Sequence, residues 1–228
     1  MNINVTQLVI RSVVTAILFA LMLFLPAGTF AWRAGWVYLV LLFGFMLGIS
    51  LWLLRFNPGL LEERLSGLGK ADQKRWDKVF VAFLVLFFCI WYVVMALDAA
   101  RFRWSQLPDW LQLTGATVLL VSFYIFYRTF RENSFLSPAV RIQSDRGQTV
   151  ISTGPYGYVR HPLYSGFILF TFGTALLLGS AYGLIGALVL NGMIVWRAVR
   201  EEQVLKNELP GYGEYMTRVK ERFVPYLW

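Results

Sequence analysis

The chain has 228 residues, of which 57% are hydrophobic and 17% aromatic, while only 15% are charged. A soluble domain carries roughly 25% charged residues, so an ordinary water-soluble globular protein is excluded. The net charge of +8 does not call for nucleic acid, because the basic residues fall in short segments between apolar runs, where an explanation from the lipid surface suffices.

Several of those runs reach the roughly 18–20 residues that a bilayer requires. They predict an all-α integral membrane protein of about six transmembrane helices, ending in a helical hairpin and a cytoplasmic amphipathic tail. Cys89 is the single cysteine and His161 the single histidine. No intrachain disulfide can form, and no zinc site of the usual His/Cys type or other metal centre is expected. Neither a GxGxxG nor a P-loop pattern occurs, so nothing indicates a soluble-type nucleotide site.

Leu8–Pro26 is the first expected span; its length and the spans that follow favour a retained helix over a signal peptide. Trp36–Leu54 is the second, with Trp32, Trp36 and Tyr38 as interfacial anchors. The polar segment Arg55–Lys78 spaces Leu60, Leu61, Leu65 and Leu68 as a short interfacial helix. Val79–Leu97 is the third span, and the linker Asp98–Asp109 leads into the fourth, Trp110–Phe130. The fifth runs from Leu163 to about Ser180, and a turn at Ser180-Ala181-Tyr182-Gly183 joins it to the sixth, Leu184–Val199. So short a connection forces these two helices into an antiparallel hairpin. With a cytoplasmic N-terminus, only Arg33, Arg101 and Arg103 of the 21 Lys and Arg fall outside, a strong positive-inside bias. The chain divides into N-terminal membrane helices, 1–130, and a core, 131–228.

Gly154–Gly166, reading GPYGYVRHPLYSG, interrupts the apolar sequence. Pro162 suits the first position of a helix, so that helix's free N–H groups open beside Arg160, His161 and Tyr164. A helix start with an adjacent arginine suits a small anion such as a carboxylate; the plain alternative is a helix-entry turn at the membrane surface. In the tail, Val204, Leu205, Leu209, Tyr212, Tyr215, Met216, Val219 and Phe223 recur at intervals of mostly three and four, interrupted at Pro210-Gly211. Such a tail either lies on the membrane or folds over the hairpin mouth and roofs a pocket.

Glu201 and Glu202 point about 100° apart on a helix and so address different groups. They either pair locally, Arg197 with Glu201 and Glu202 with Lys206, or take ribose hydroxyls or an ammonium. Arg160, Arg218 and Arg222 are candidate anion holders. Asn133 can serve a loop or a ligand, and Asn191, inside a span, reads as glue between helices. Tyr156, Tyr158, Tyr164, Tyr212 and Tyr215 cluster near the expected mouth. No acidic pair lies deep in a span, so a proton relay is not indicated. This inventory suits an enzyme that positions its reactants and relies on electrostatics. Methyl transfer from a sulfonium to an ionised nucleophile fits it: a carboxylate needs no base, whereas a thiol would have only His161.

GPYGYVRHPLYSG followed by REEQVLKNELPGYGEYMTRVKERFVP resembles the isoprenylcysteine carboxyl methyltransferase family and its phospholipid and thiol methyltransferase relatives, over roughly Asn133–Pro225. The resemblance implies S-adenosylmethionine as cofactor, held by Tyr156, Val159, Arg160, His161, Pro162, Tyr164, Gly166, Glu201 and Glu202. It implies Tyr215 and either Arg218 or Arg222 as catalytic residues, with Tyr212 as the other tail tyrosine. Where the prenylcysteine enzymes read arginine-valine-proline, this chain reads Arg218-Val219-Lys220. The implied acceptor is a lipid-like or prenylated small molecule, with an isoprenylcysteine-type carboxylate as the family default and a phospholipid amine or small thiol beside it. Membrane lipids are the other partners, nucleic acid is none, and oligomeric state is open. The site is expected to face the cytoplasm, at an inner membrane if the source is bacterial and the endoplasmic reticulum if it is eukaryotic. Two other readings stand beside it: an NADPH-dependent membrane reductase of sterol-reductase type, using Arg141, Arg146 and Arg160 for phosphate, and a non-enzymatic membrane scaffold or lipid-binding protein.

Overall fold

The computed structural model describes residues 5–66, 70 and 72–225, and among these it is helical, with no strand. In chain order the helices are α1 (Val5–Ala27), α2 (Arg33–Phe56), α3 (Pro58–Leu65), α4 (Arg75–Ala96), α5 (Asp109–Glu132), α6 (Pro162–Leu178), α7 (Ala181–Glu208) and α8 (Tyr212–Arg218). A π-helical turn, Leu97–Phe102, prolongs α4, so the linker expected from Asp98 begins inside a helix.

Five helices among the described residues are long and apolar enough to cross a bilayer: α1, α2, α4 with its π-helical turn, α5 and α7. The expected fifth span, α6, is apolar but has only 17 residues, about 26 Å at 1.5 Å per residue, short of a hydrocarbon core of about 30 Å. The all-α membrane architecture expected from the sequence holds, with five long spans and α6 as a shorter apolar companion in the place of the expected fifth. The interfacial helix appears as α3, which buries Leu60 and Leu61 against Leu53 and Phe130; Leu68 lies outside the described residues.

Small residues let α5 and α6 meet backbone to backbone. A Cβ on Gly173 would sit 2.8 Å from the Leu119 amide nitrogen, and one on Gly166 would sit 2.7 Å from the Phe126 ring. Ser122 Oγ donates to the Gly166 carbonyl at 2.8 Å across the same interface. Asn191 donates to Thr171 Oγ1 at 3.0 Å and ties α7 to α6, the helix-to-helix role its sequence position suggests. Leu23, Tyr38, Trp91, Tyr92, Leu119 and Leu190 fill the space between α1, α2, α4, α5 and α7.

The hairpin turn is tighter than expected and lies one residue earlier. Gly179, at φ +79°, ends α6, and Ser180 caps α7 by accepting from the Gly183 amide at 2.8 Å. Buried Asp98 holds this turn: its carboxylate accepts from Ser180 Oγ (2.5 Å), Ser105 Oγ and the Ser105 amide (both 2.8 Å), and the Tyr182 amide (3.3 Å). Arg33 and Arg103 line a cavity beside Gly179 at this closed end. The long polar segments, 133–161 and the tail, gather at the open end, where α6 begins. α7 continues to Glu208, so Glu201 and Glu202 lie well inside it and do not oppose its macrodipole at the C-terminus.

Candidate active site

At the open end the tail folds back over the mouth of the hairpin. His161 is non-helical (φ −126°, ψ 63°) ahead of Pro162, and the backbone of residues 160–161 meets the tail. The Arg160 and His161 amides donate to the Glu221 and Arg222 carbonyls, each at 2.9 Å. Ser165 Oγ donates to the Phe223 carbonyl at 2.5 Å, and Tyr215 donates to the Tyr156 carbonyl at 2.8 Å. Gly211, at φ +82°, makes the sharp turn into α8. Leu209, Tyr212, Tyr215 and Val219 then pack together with Ile142 and Val150 of the long segment. The tail is a roof, and its periodic face points into the protein.

Glu202 ties the floor to this roof. Its Oε1 accepts from Arg160 Nε at 2.6 Å and lies 3.2 Å from His161 Nε2, while its Oε2 accepts from Arg222 Nε at 2.9 Å. Arg160 also donates to the Val219 and Lys220 carbonyls at 2.8 and 2.6 Å. The expected anion holder thus directs these donors to the protein's own groups. The local pairs considered from the sequence give way to long-range ones. Arg197 pairs with buried Asp77 of α4 at 2.9 Å and donates to Tyr164 Oη at 2.7 Å, while Tyr164 donates to Glu201 Oε2 at 2.6 Å.

Beneath the roof lies a polar pocket lined by Tyr156, Arg160, His161, Tyr164, Glu201, Tyr212 and Tyr215, with the segment 135–141 on one side and Val204, Leu205 and Leu209 on another. Burial pushes the phenols of Tyr156, Tyr212 and Tyr215 well above their ordinary pKa, so they stay protonated and serve as donors. Asn133 donates to Tyr156 Oη at 2.9 Å and accepts from the Phe135 amide at 2.8 Å, so its part is to shape the segment around the pocket. The buried Tyr212 hydroxyl has no hydrogen-bond partner among the described residues. A buried hydroxyl without a partner costs about 1–3 kcal/mol, a cost that a ligand in this pocket would offset.

A second cavity, mainly apolar, lies in the helix bundle and is lined by residues of α1, α2, α3, α4, α5, α6 and α7. Four side chains line both cavities: Arg64, Leu163, Tyr164 and Arg197. The polar pocket and the apolar cavity therefore meet across a wall one side chain thick.

Six residues expected in the site, Tyr156, Arg160, His161, Tyr164, Glu201 and Tyr215, line the polar pocket. Glu202 and Arg222 sit just behind it as the Arg160–His161 support. Val159 and Pro162 are buried beside the lining, and Gly166 serves the α5–α6 contact. Arg218 is exposed at the end of α8, and Tyr158 is 69% exposed, outside the pocket. Sequence reasoning missed Asp77, Glu63 and Arg64. An acid in a first helical turn, as Asp77 is, is a weak signal, and Asp77 and Glu63 meet Arg197 and Arg141 from far along the chain, while nothing in the sequence sets Arg64 apart from the other interfacial basic residues.

Residues 113–210 match the family model described as phospholipid methyltransferase. The match runs from α5 through the long segment and α6 to the end of α7, and the tail that roofs the pocket follows it. No curated protein matches the chain.

Proposed function

We propose that this chain, whose residues 113–210 match the phospholipid methyltransferase family model, uses S-adenosylmethionine to methylate a lipid-like acceptor. The observation that carries the proposal is the shared wall: a polar, roofed pocket suited to a water-soluble cofactor abuts an apolar cavity suited to a lipid chain, with Arg64, Leu163, Tyr164 and Arg197 between them.

The residues present fit S-adenosylmethionine. Glu201 has one carboxylate oxygen, Oε1, with no hydrogen-bond partner among the described residues, and can accept from ribose hydroxyls or the ammonium. The unpartnered Tyr212 hydroxyl can donate to the cofactor's carboxylate, and Val150, Val204 and Leu205 offer apolar surface for an adenine. When bound, S-adenosylmethionine supplies an electrophilic sulfonium methyl. The chain's own residues bind, orient and exclude water. Arg160, His161 and Glu202 hold the floor, Tyr164 fixes Glu201, and the tail closes the roof. Of the two tail arginines, Arg222 is the one we assign to the reaction side, because it is tied to the His161–Glu202 group while Arg218 is exposed. His161 is hydrogen-bonded to Glu202 and is better suited to hold the floor than to serve as a base. An acceptor that arrives already ionised, such as an isoprenylcysteine-type carboxylate, needs no base and is the acceptor we favour.

The site faces the cytoplasm in this reading, because Arg33, Arg101 and Arg103 belong to the closed end and the other basic residues to the open one. The arginines that an NADPH phosphate would require are engaged elsewhere. Arg141 is held by Glu63, Asp72 and Asp145, Arg146 by Gln143, and Arg160 by Glu202.

Calorimetry of the detergent-purified protein with S-adenosylmethionine and with NADPH tests the reading. Micromolar binding of S-adenosylmethionine, about −8 kcal/mol, together with transfer of its labelled methyl group to a membrane lipid extract, is the expected result. NADPH binding in its place would reinstate the reductase. Binding of neither, with no methyl transfer to the extract, would leave the scaffold.

A further inference from the structure

Among the described residues, Arg64 is the one arginine lining these cavities that no carboxylate claims. Arg141, Arg160 and Arg197 each have an acidic partner, at 2.5–3.1 Å. Arg64 has no hydrogen-bond or ion-pair partner among the described residues. Its guanidinium lies 4.6 Å from the centre of the Phe130 ring. α3 explains how it comes to be there. Leu60 and Leu61 pin the helix to Leu53 and Phe130. Neighbouring residues on a helix point about 100° apart, so Glu63 turns to the long segment, where it meets Arg141 and Ser137, while Arg64 turns to the junction of the two cavities.

A half-buried guanidinium facing an aromatic ring keeps part of its stabilisation through the cation–π contact, but its fork of donors stays unused. Burial pulls its pKa down to about 10, which leaves it fully charged at neutral pH. The surroundings on one side are the apolar side chains of the bundle, among them Leu53, Phe126 and Phe130. A long-chain amphiphile with its tail among these would bring its head group to this guanidinium. A carboxylate or phosphate could then pair with the arginine fork bidentately, in a setting from which water is partly excluded.

We propose that Arg64 grips the anionic head group of the lipid-like acceptor where the apolar cavity meets the polar pocket, and so sets acceptor specificity. That this lipid is the acceptor rests on the methyltransferase reading; that Arg64 selects anionic amphiphiles does not. Arg64 acts by positioning and takes no part in the chemistry. An uncharged lipid of equal chain length fills the cavity but leaves the guanidinium unpaired, and is therefore held less well.

The test is native mass spectrometry of the full chain in neutral detergent, offered dioleoyl phosphatidate, oleate and uncharged dioleoylglycerol in separate titrations. Wild-type protein should retain phosphatidate or oleate about tenfold better than dioleoylglycerol, equivalent to about 1.4 kcal/mol; the better retained of the two tells whether phosphate or carboxylate is preferred. Arg64→Gln should abolish the preference, Arg64→Lys should keep part of it, and Arg55→Gln, which removes an exposed charge beyond the end of the cavity, should keep all of it. Each variant is also melted in detergent, and a thermal midpoint for Arg64→Gln close to that of wild type shows that the protein is folded. If Arg64→Gln melts as wild type does and still prefers the anionic lipids, or if wild type has no preference, the assignment is overturned. If no variant and no wild type binds S-adenosylmethionine while the charge preference follows Arg64, the methyltransferase reading fails and the Arg64 assignment stands.

Discussion

The Glu202 carboxylate lies 2.6 Å from Arg160 Nε, with both side chains buried, and the same carboxylate holds Arg222 on its other oxygen. It therefore balances two guanidiniums and fastens the tail to the start of α6. Glu202→Gln leaves these cations without their counter-charge, a loss of about 3–5 kcal/mol when a buried pair is broken. We expect a much lower thermal midpoint in detergent, and S-adenosylmethionine binding lost as a consequence. Glu201→Gln should do the reverse. It keeps an oxygen to accept from Tyr164, so the midpoint should stay put while affinity for the cofactor falls about tenfold, near 1.4 kcal/mol. Equal midpoints for wild type and Glu202→Gln would refute the structural role assigned to Glu202.

Tyr212 gives a substitution whose effects on fold and ligand point in opposite directions. Its buried hydroxyl has no partner among the described residues, and Tyr212→Phe removes a polar group whose burial costs about 1–3 kcal/mol when unmade. Without ligand the variant should melt higher than wild type. Its affinity for S-adenosylmethionine should fall, because a donor in the pocket is gone. Thermal scans with and without the cofactor check both. A lower midpoint without ligand would show that the hydroxyl is serving the fold instead.

What could be read from the sequence followed local physics. The intervals of three and four in the tail placed Leu209, Tyr212, Tyr215 and Val219 on one face, and those residues pack together under the roof. The proline after His161 announced the start of α6, and the small residues around Ser180 announced a tight hairpin. The pairing of charges was not legible. Arg197 has Glu201 one helical turn away, yet it pairs with Asp77, 120 positions earlier. Sequence spacing shows neighbours on one helix, whereas α4 and α7 meet only after the bundle forms. Asp98 was hidden for a related reason: its partners Ser180 and Tyr182 come from a turn more than 80 residues later.

Asp98 sits at the closed end of the hairpin, away from the pocket, and its removal should separate stability from binding. Asp98→Ala strands the Ser180 and Ser105 hydroxyls and two backbone amides, at a cost of about 3 kcal/mol. The expected outcome is a lower thermal midpoint with S-adenosylmethionine affinity retained at temperatures where the variant is folded. Calorimetry below the midpoint reads this directly. An unchanged midpoint would mean that the turn holds by Gly179 and Ser180 alone.

The segment 135–141 at the side of the pocket should be sensitive to acid through Glu63. Burial on its own would raise the pKa of this carboxyl, but hydrogen bonds from Arg141, Lys70 and Ser137 outweigh that and hold it at about 2, against an ordinary 4.5. A carboxylate whose pKa is depressed on folding contributes stability that is fully present above pH 4.5 and is lost as the pH falls from there towards 2. The contribution is on the order of 2–3 kcal/mol. Arg141 and Ser137, which Glu63 holds, line the polar pocket, so cofactor binding should weaken over the same window. Glu63→Gln should lower the midpoint at pH 7 and bring the wild-type and variant curves together as the pH approaches 2. Midpoints measured between pH 7 and pH 3 in both proteins settle it: the gap must narrow on the acid side, and curves that run parallel throughout would exclude Glu63 as the titrating group.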